Sequence, residues 1–146
     1  MRVYLDMCSI QRPLDAKDQP RGAVEAEAVL GILTLCEAGI LELMLSDALL
    51  FEIARNPHPI RKEYALRVAA KAAVTITTND RIVETAKRMF EKGVKPVDAL
   101  HLACALVAEA DYFCTCDDRL LKRARTFDLG RTKALSPLEL IMEVSQ

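Results

Sequence analysis

The chain has 146 residues, 51% of them hydrophobic and 28% charged, with a formal net charge of −1. That near-neutral balance excludes a protein that coats nucleic acid by bulk electrostatics, so any nucleic-acid contact needs a local basic patch. A length of this order points to a single domain, residues 1–146, able to bury roughly 68–70% of its unfolded surface.

Arg2 to Leu5 is a short β-prone run that ends at Asp6. Residues 11–22 carry Pro13, Pro20 and Gly22 among alternating charges and read as a loop. Ala23 to Ala38 has the apolar face of a helix and is stopped by Gly39. Leu41 to Leu45 reads as a second strand. Ser46 is a fair N-cap for a helix over 47–55, which the Asn56-Pro57-His58-Pro59 turn terminates.

Residues 60–73 are helical in pattern. Val74 to Thr77 is a short β-branched run, read as an edge strand. Thr78 or Asn79 caps a helix that runs to Glu91 and stops at Gly93. Pro96 then opens an almost wholly apolar helix interrupted by Asp98 and His101. Tyr112 to Cys116 is a strand, Asp118 to Arg125 a basic amphipathic helix, and Lys133 to Leu135 a last strand. Ser136-Pro137-Leu138-Glu139 is a capping box that opens a terminal helix. Strands alternating with helices imply an α/β layered fold with a mainly parallel sheet.

The five cysteines are odd in number and sit in apolar or strand-like contexts, which suits buried thiols in a reducing compartment. With a charged start and no run of membrane-spanning length, the chain reads as cytoplasmic, with no membrane partner.

In parallel sheets, sites form beyond the carboxyl ends of the strands. Asp6 and Asp117 follow strands, Asp98 lies near a helix start, and Glu52 lies on the helix after the second strand. Four carboxylates can thus meet at one edge. Two like charges ~4 Å apart repel by about 4 kcal/mol at an effective dielectric near 20. A hard divalent cation reverses that sign, and Mg²⁺ or Mn²⁺ takes oxygen ligands. Carboxylates with bound metal and water suit phosphodiester hydrolysis. A metal-free acid–base pair of carboxylates stays open on residues alone, although nothing marks a sugar site.

These stretches resemble the PIN domain family, and within it the VapC-like toxins of type II toxin–antitoxin systems. The matching blocks are YLDMCSI at 4–10, SDALLFE at 46–52, KPVDALHLACA at 95–105 and ADYFCTCDDRLL at 110–121, in the family's order. The resemblance implies a three-layer α/β/α sandwich with a short, mainly parallel central sheet. It implies an endoribonuclease that hydrolyses single-stranded RNA with one or two Mg²⁺ or Mn²⁺ ions. Asp6, Glu52, Asp98 and Asp117 take the places of the family's acidic metal-binding residues. A homodimer and a cognate antitoxin are the implied partners. The first block departs from the family pattern: Met7 and Cys8 stand where small or hydroxylated residues are usual. Ser9 is then the candidate for the supporting hydroxyl, or that contact is missing.

Around these acids, His101 lies one turn after Asp98 and can touch it, as a general acid, a supporting partner or a core histidine. Thr115 precedes Asp117 in a T-x-D motif that favours Asp117 over Asp118 as ligand. Asp118 is then a helix N-terminal charge or a secondary ligand. His101 with Cys104, Cys114 and Cys116 also invites a zinc reading, against which buried structural thiols stand as the simpler account. Asp15 and Asp18 read as solvated loop acids. Arg12, Arg21, Arg55, Lys122, Arg123 and Arg125 are candidates for RNA phosphates. With 5% aromatic residues and no Trp, base stacking cannot be the main grip. A phosphoacceptor receiver is disfavoured because Asp6 has no acidic neighbour, and a nucleotide-binding fold because no glycine-rich phosphate loop exists. The departure at Met7-Cys8 motivates one rival, a catalytically weak PIN-like module that acts through protein–protein contacts.

Overall fold

The computed structural model describes residues 1–146. Its five strands are β1 (Arg2–Leu5), β2 (Glu42–Ser46), β3 (Val74–Ile76), β4 (Tyr112–Cys114) and β5 (Lys133–Leu135). They form one sheet in the order β3-β2-β1-β4-β5, and every neighbouring pair is parallel. Both edge strands are three residues long, which limits the unpaired backbone offered for aggregation.

Strand alternation separates two cores. Tyr4, Met44, Ile76 and Phe113 face one side, where they pack against α5 (Asp80–Glu91), α6 (Pro96–Val107) and α7 (Asp118–Ala124). Val3, Leu5, Leu43, Leu45, Tyr112 and Cys114 face the other side. There they meet α1 (Met7–Gln11), α2 (Pro20–Glu37), α3 (Asp47–Ala54), α4 (Pro59–Ala69) and α8 (Pro137–Val144). The result is the three-layer α/β/α sandwich expected from the sequence. A sheet covered on both faces needs near-continuous apolar strands, which the run Val3-Tyr4-Leu5 supplies.

Most expected elements are present with ends moved by a few residues, and the stretch 11–22 is a correction. It is not a plain loop. Asp6 caps α1 by accepting the Ser9 backbone N–H at 3.1 Å, a 3₁₀ turn follows over Arg12–Leu14, and α2 opens at Pro20. Pro13 and Pro20 both occupy first-turn positions, where a missing N–H costs nothing, so here they start helices. The helix expected over 60–73 ends at Ala69 because Ala73 already donates to the Leu43 carbonyl of the sheet. The fourth strand stops at Cys114, after which the Asp117 N–H turns to the Thr115 hydroxyl. Asn79, rather than Thr78, caps α5 through Ile82, and Ser136 with Glu139 forms both halves of the capping box.

Gly93 sets the approach to α6. Its φ of +101° favours glycine, and an added Cβ would lie 2.6 Å from Arg123 Nη1. Gly22 lies inside α2, where the nearest atom to an added Cβ is at an ordinary 3.6 Å. Thermal melts should therefore show Gly93→Ala destabilised by about 1 kcal/mol or more. Gly22→Ala should be neutral or stabilised by up to about 1 kcal/mol. Equal effects at the two sites would contradict this account.

Candidate functional site

From β1 the chain moves outward to β2 and β3, then crosses back to place β4 on the opposite side of β1. This reversal opens a crevice beyond the carboxyl ends of β1 and β4. Asp6 directly follows β1, and Asp117 follows β4 at the N-cap of α7. Asp98 is in the first turn of α6, and Glu52 projects from α3, whose start is fixed by Ser46 accepting the Leu49 N–H at 3.0 Å. All four carboxylates line one cleft of about 370 Å³.

Each carboxylate is held differently. Asp6 is 4% exposed; besides Ser9, the Cys8 thiol donates to it, at 3.1 and 3.2 Å from its two oxygens. Burial pushes the Asp6 carboxyl up, while Thr115, Cys8 and Ser9 pull it back. Asp98 is half-buried and accepts no hydrogen bond from the protein; its carboxyl is raised by burial first, then by the charges of Asp6 and Asp117, with His101 and Lys95 opposing. Asp117 spends Oδ1 on the backbone N–H groups of Arg119 and Leu120, at 2.9 and 3.2 Å. Glu52 turns Oε1 to His101 Nε2 at 2.8 Å.

The four acids therefore share a cleft, but no three of them stand close enough together to hold an ion as they are placed. Protein donors take up oxygens of three of the four. The donor set itself is hard oxygen, which suits Mg²⁺ or Mn²⁺. For zinc, no histidine–cysteine group converges: Cys114 and Cys116 flank the Ser9 hydroxyl at 3.9 and 3.7 Å, and Cys104 is buried.

The supporting residues divide. Cys8 occupies the place left open by the missing hydroxyl. Its thiol is pushed well up by contact with Cys116, then by burial and the Asp6 charge, so it stays a donor. Ser9 gives Asp6 its backbone N–H at 3.1 Å, and its hydroxyl donates to the Cys114 carbonyl at 3.2 Å. Thr115 Oγ1 accepts the Asp117 N–H at 3.0 Å and lies 3.5 Å from Cys8 Sγ. His101 reaches Glu52 rather than Asp98. Asp118 faces away from the cleft and makes a two-pronged pair with exposed Arg21.

Among the cations, Arg123 lines an opening with Asp98, Asp117, Lys95 and Arg119, and donates to the Lys92 carbonyl at 3.1 Å. The Arg55 guanidinium sits 5.2 Å from the centroid of the Phe51 ring, in a groove that also reaches Glu52. Arg12 is drawn to Asp15 and Glu25, Arg125 to Glu139, and Lys122 is exposed on α7. Asp15 corrects its reading as a solvated acid: it pairs with Arg12 and with Arg61, and all but Arg12 of this trio line the cleft. Arg61 and Tyr4 escaped sequence reasoning because their contacts, with Gln11 and Asp15 and with His101, span 46 residues or more.

The PIN domain family profile matches residues 3–126. No curated protein sequence matches. Among solved structures, FitAcB from Neisseria gonorrhoeae is similar at 15% identity and a TM-score of 0.57, covering 93% of this chain and 98% of its own. VapBC2 from Rickettsia felis, bound to a DNA fragment from its promoter, is similar at 11% identity and 0.58, with coverage of 93% and 98%. PAE2754 from Pyrobaculum aerophilum is similar at 15% identity and 0.58, with coverage of 99% and 98%. At these identities the likeness is one of fold.

The raised Asp6 carboxyl makes a signed prediction. Stability tied to its protonated form is complete below the ordinary carboxylate range and is lost as pH rises through the raised value. Asn caps a helix as well as Asp. In metal-free buffer, Asp6→Asn should match wild type below the ordinary carboxylate range and be the more stable of the two at pH 7. Urea melts across that range measure the difference; a gap that does not change with pH would refute the assignment.

Proposed function

Because this chain belongs to the PIN domain family, a family of nuclease type, we propose that it is a Mg²⁺- or Mn²⁺-dependent endoribonuclease acting on single-stranded RNA. We further propose that it is the toxin of a toxin–antitoxin pair. The observation that carries this reading is the meeting of Asp6, Glu52, Asp98 and Asp117 in one cleft at the sheet's reversal point. Asp98 makes no protein hydrogen bond there, although burial and two neighbouring charges weigh against its ionised form. A cation beside it would favour the ionised form.

Asp6 and Asp98 would be the direct ligands, with Asp117 and Glu52 offering the oxygens not already used on α7 and His101. One or two bound ions would activate water and stabilise the departing oxygen of a phosphodiester. Cys8 and Ser9 orient Asp6, and Thr115 orients the turn that carries Asp117. Lys95, Arg119 and Arg123 beside Asp98 and Asp117 form the local basic patch that a chain of net charge −1 requires for RNA. The resemblance to VapC-like toxins and the fold likeness to VapBC2 support a cognate antitoxin as partner. Apolar residues left exposed on α2 and α3, including Leu30 and Phe51, would supply a homodimer face.

The spread of the acids supports a second reading, a PIN module that works through protein contacts without useful catalysis. Two measurements separate the readings. Millimolar Mn²⁺ should raise the melting temperature of wild type, by an amount equivalent to about 2.7 kcal/mol at one hundred times the dissociation constant. Asp98→Asn should keep its circular dichroism, lose most of that shift, and cut single-stranded RNA roughly 100-fold or more slowly. Full cleavage by the variant would refute the role given to Asp98, and a wild type with neither metal response nor cleavage would leave the binding module as the surviving reading.

A further inference from the structure

A continuous hydrogen-bond chain runs from the core to the cleft. Ser46 Oγ lies 2.6 Å from the Tyr4 hydroxyl, which lies 2.6 Å from His101 Nδ1; His101 Nε2 lies 2.8 Å from Glu52 Oε1. Ser46, Tyr4 and His101 are 0, 0 and 2% exposed, so water does not complete this chain. The Tyr4 ring is held by stacking on Phe113 at 5.9 Å and by tilted contact with His101 at 5.7 Å.

The direction of the chain follows from its ends. The ionised Glu52 carboxylate only accepts, so His101 Nε2 carries the proton. At the other end Ser46 Oγ accepts the Leu49 N–H, which leaves its proton free to go to the tyrosine oxygen. Tyr4 then donates to Nδ1. Every proton in this direction meets an oxygen or nitrogen acceptor. The reverse direction would make both imidazole nitrogens donors, placing a cation on a ring only 2% exposed, and would leave the serine proton facing the Cys104 sulfur, a weak acceptor.

We propose that His101 is a positioning residue for Glu52, locked by Ser46 and Tyr4 in the Nε2–H tautomer so that one Glu52 oxygen is pinned and the other is presented to the cleft. This rests on the nuclease reading for its consequence and on geometry alone for its tautomer. Buried donors that fix a ligand in this way typically govern metal affinity by about 10–100-fold.

Long-range ¹H–¹⁵N correlation spectra of the full chain at neutral pH should show His101 protonated at Nε2 and bare at Nδ1. Tyr4→Phe keeps the ring and removes the donor, and should yield a mixture of tautomers. Mn²⁺ calorimetry should show affinity reduced about 10–100-fold in His101→Leu and largely restored in His101→Gln, which returns a donor near the Nε2 position. In cleavage assays kcat should fall with that affinity while KM for RNA holds. An Nδ1–H tautomer in wild type, or unchanged Mn²⁺ affinity in folded His101→Leu, would overturn the proposal. If His101→Leu does not fold, the wild-type tautomer and the His101→Gln affinity decide it. Wild-type protein that binds Mn²⁺ but cuts no RNA would refute the nuclease reading and leave the tautomer result to stand or fall separately.

Discussion

Mutual repulsion among carboxylates at one edge of a parallel sheet is the constraint around which this molecule is built. The Asp98 carboxyl is raised by burial first and then by the charges of Asp6 and Asp117. Nothing in an apolar α/β core favours that arrangement. The chain tolerates it by giving the acids local reasons to be where they are. Asp6 and Asp117 are N-caps, and Asp98 lies in the first turn of α6. Each therefore faces the partly positive end of a helix, worth typically 0.3–1 kcal/mol. The helix starts converge because parallel strands deliver their following helices at the same edge.

The same economy explains the spread of the acids. Oxygens of Asp6, Asp117 and Glu52 are each held by a donor on this chain, and only Asp98 is left bare. An ion entering the cleft would find the second oxygens of Asp117 and Glu52 unused and would share the Asp6 oxygens with Cys8 and Ser9. Helix caps and the histidine contact would stay intact. The fold thus carries the cost of assembling charge while keeping the scaffold independent of occupancy.

Cys8 shows how a departure from a family pattern can be absorbed. A thiol is a weaker donor than a hydroxyl. Here it is enclosed, kept protonated by its surroundings, and lies near both oxygens of Asp6. The Ser9 hydroxyl is committed to the Cys114 carbonyl, which ties α1 to the end of β4. Sequence position suggested Ser9 as the substitute; the geometry gives the work to the residue before it.

Periodicity and punctuation determined the layered α/β class, the succession of strands and helices along the chain, and the caps at Ser46 and Ser136, because these depend on neighbours within a few residues. The placing of Asp98 at a helix start, and of Asp6 and Asp117 just after strands, was likewise local and therefore legible. The short α1 was not, since Pro13 and Pro20 serve loops and first turns equally well. Tertiary structure alone decided the strand order, the pairing of Glu52 with His101 across 49 residues, and the turning of Asp118 toward Arg21. The reason is physical: a side chain's partner is set by which elements pack together, and that sum of many weak apolar contacts is not written at any one position.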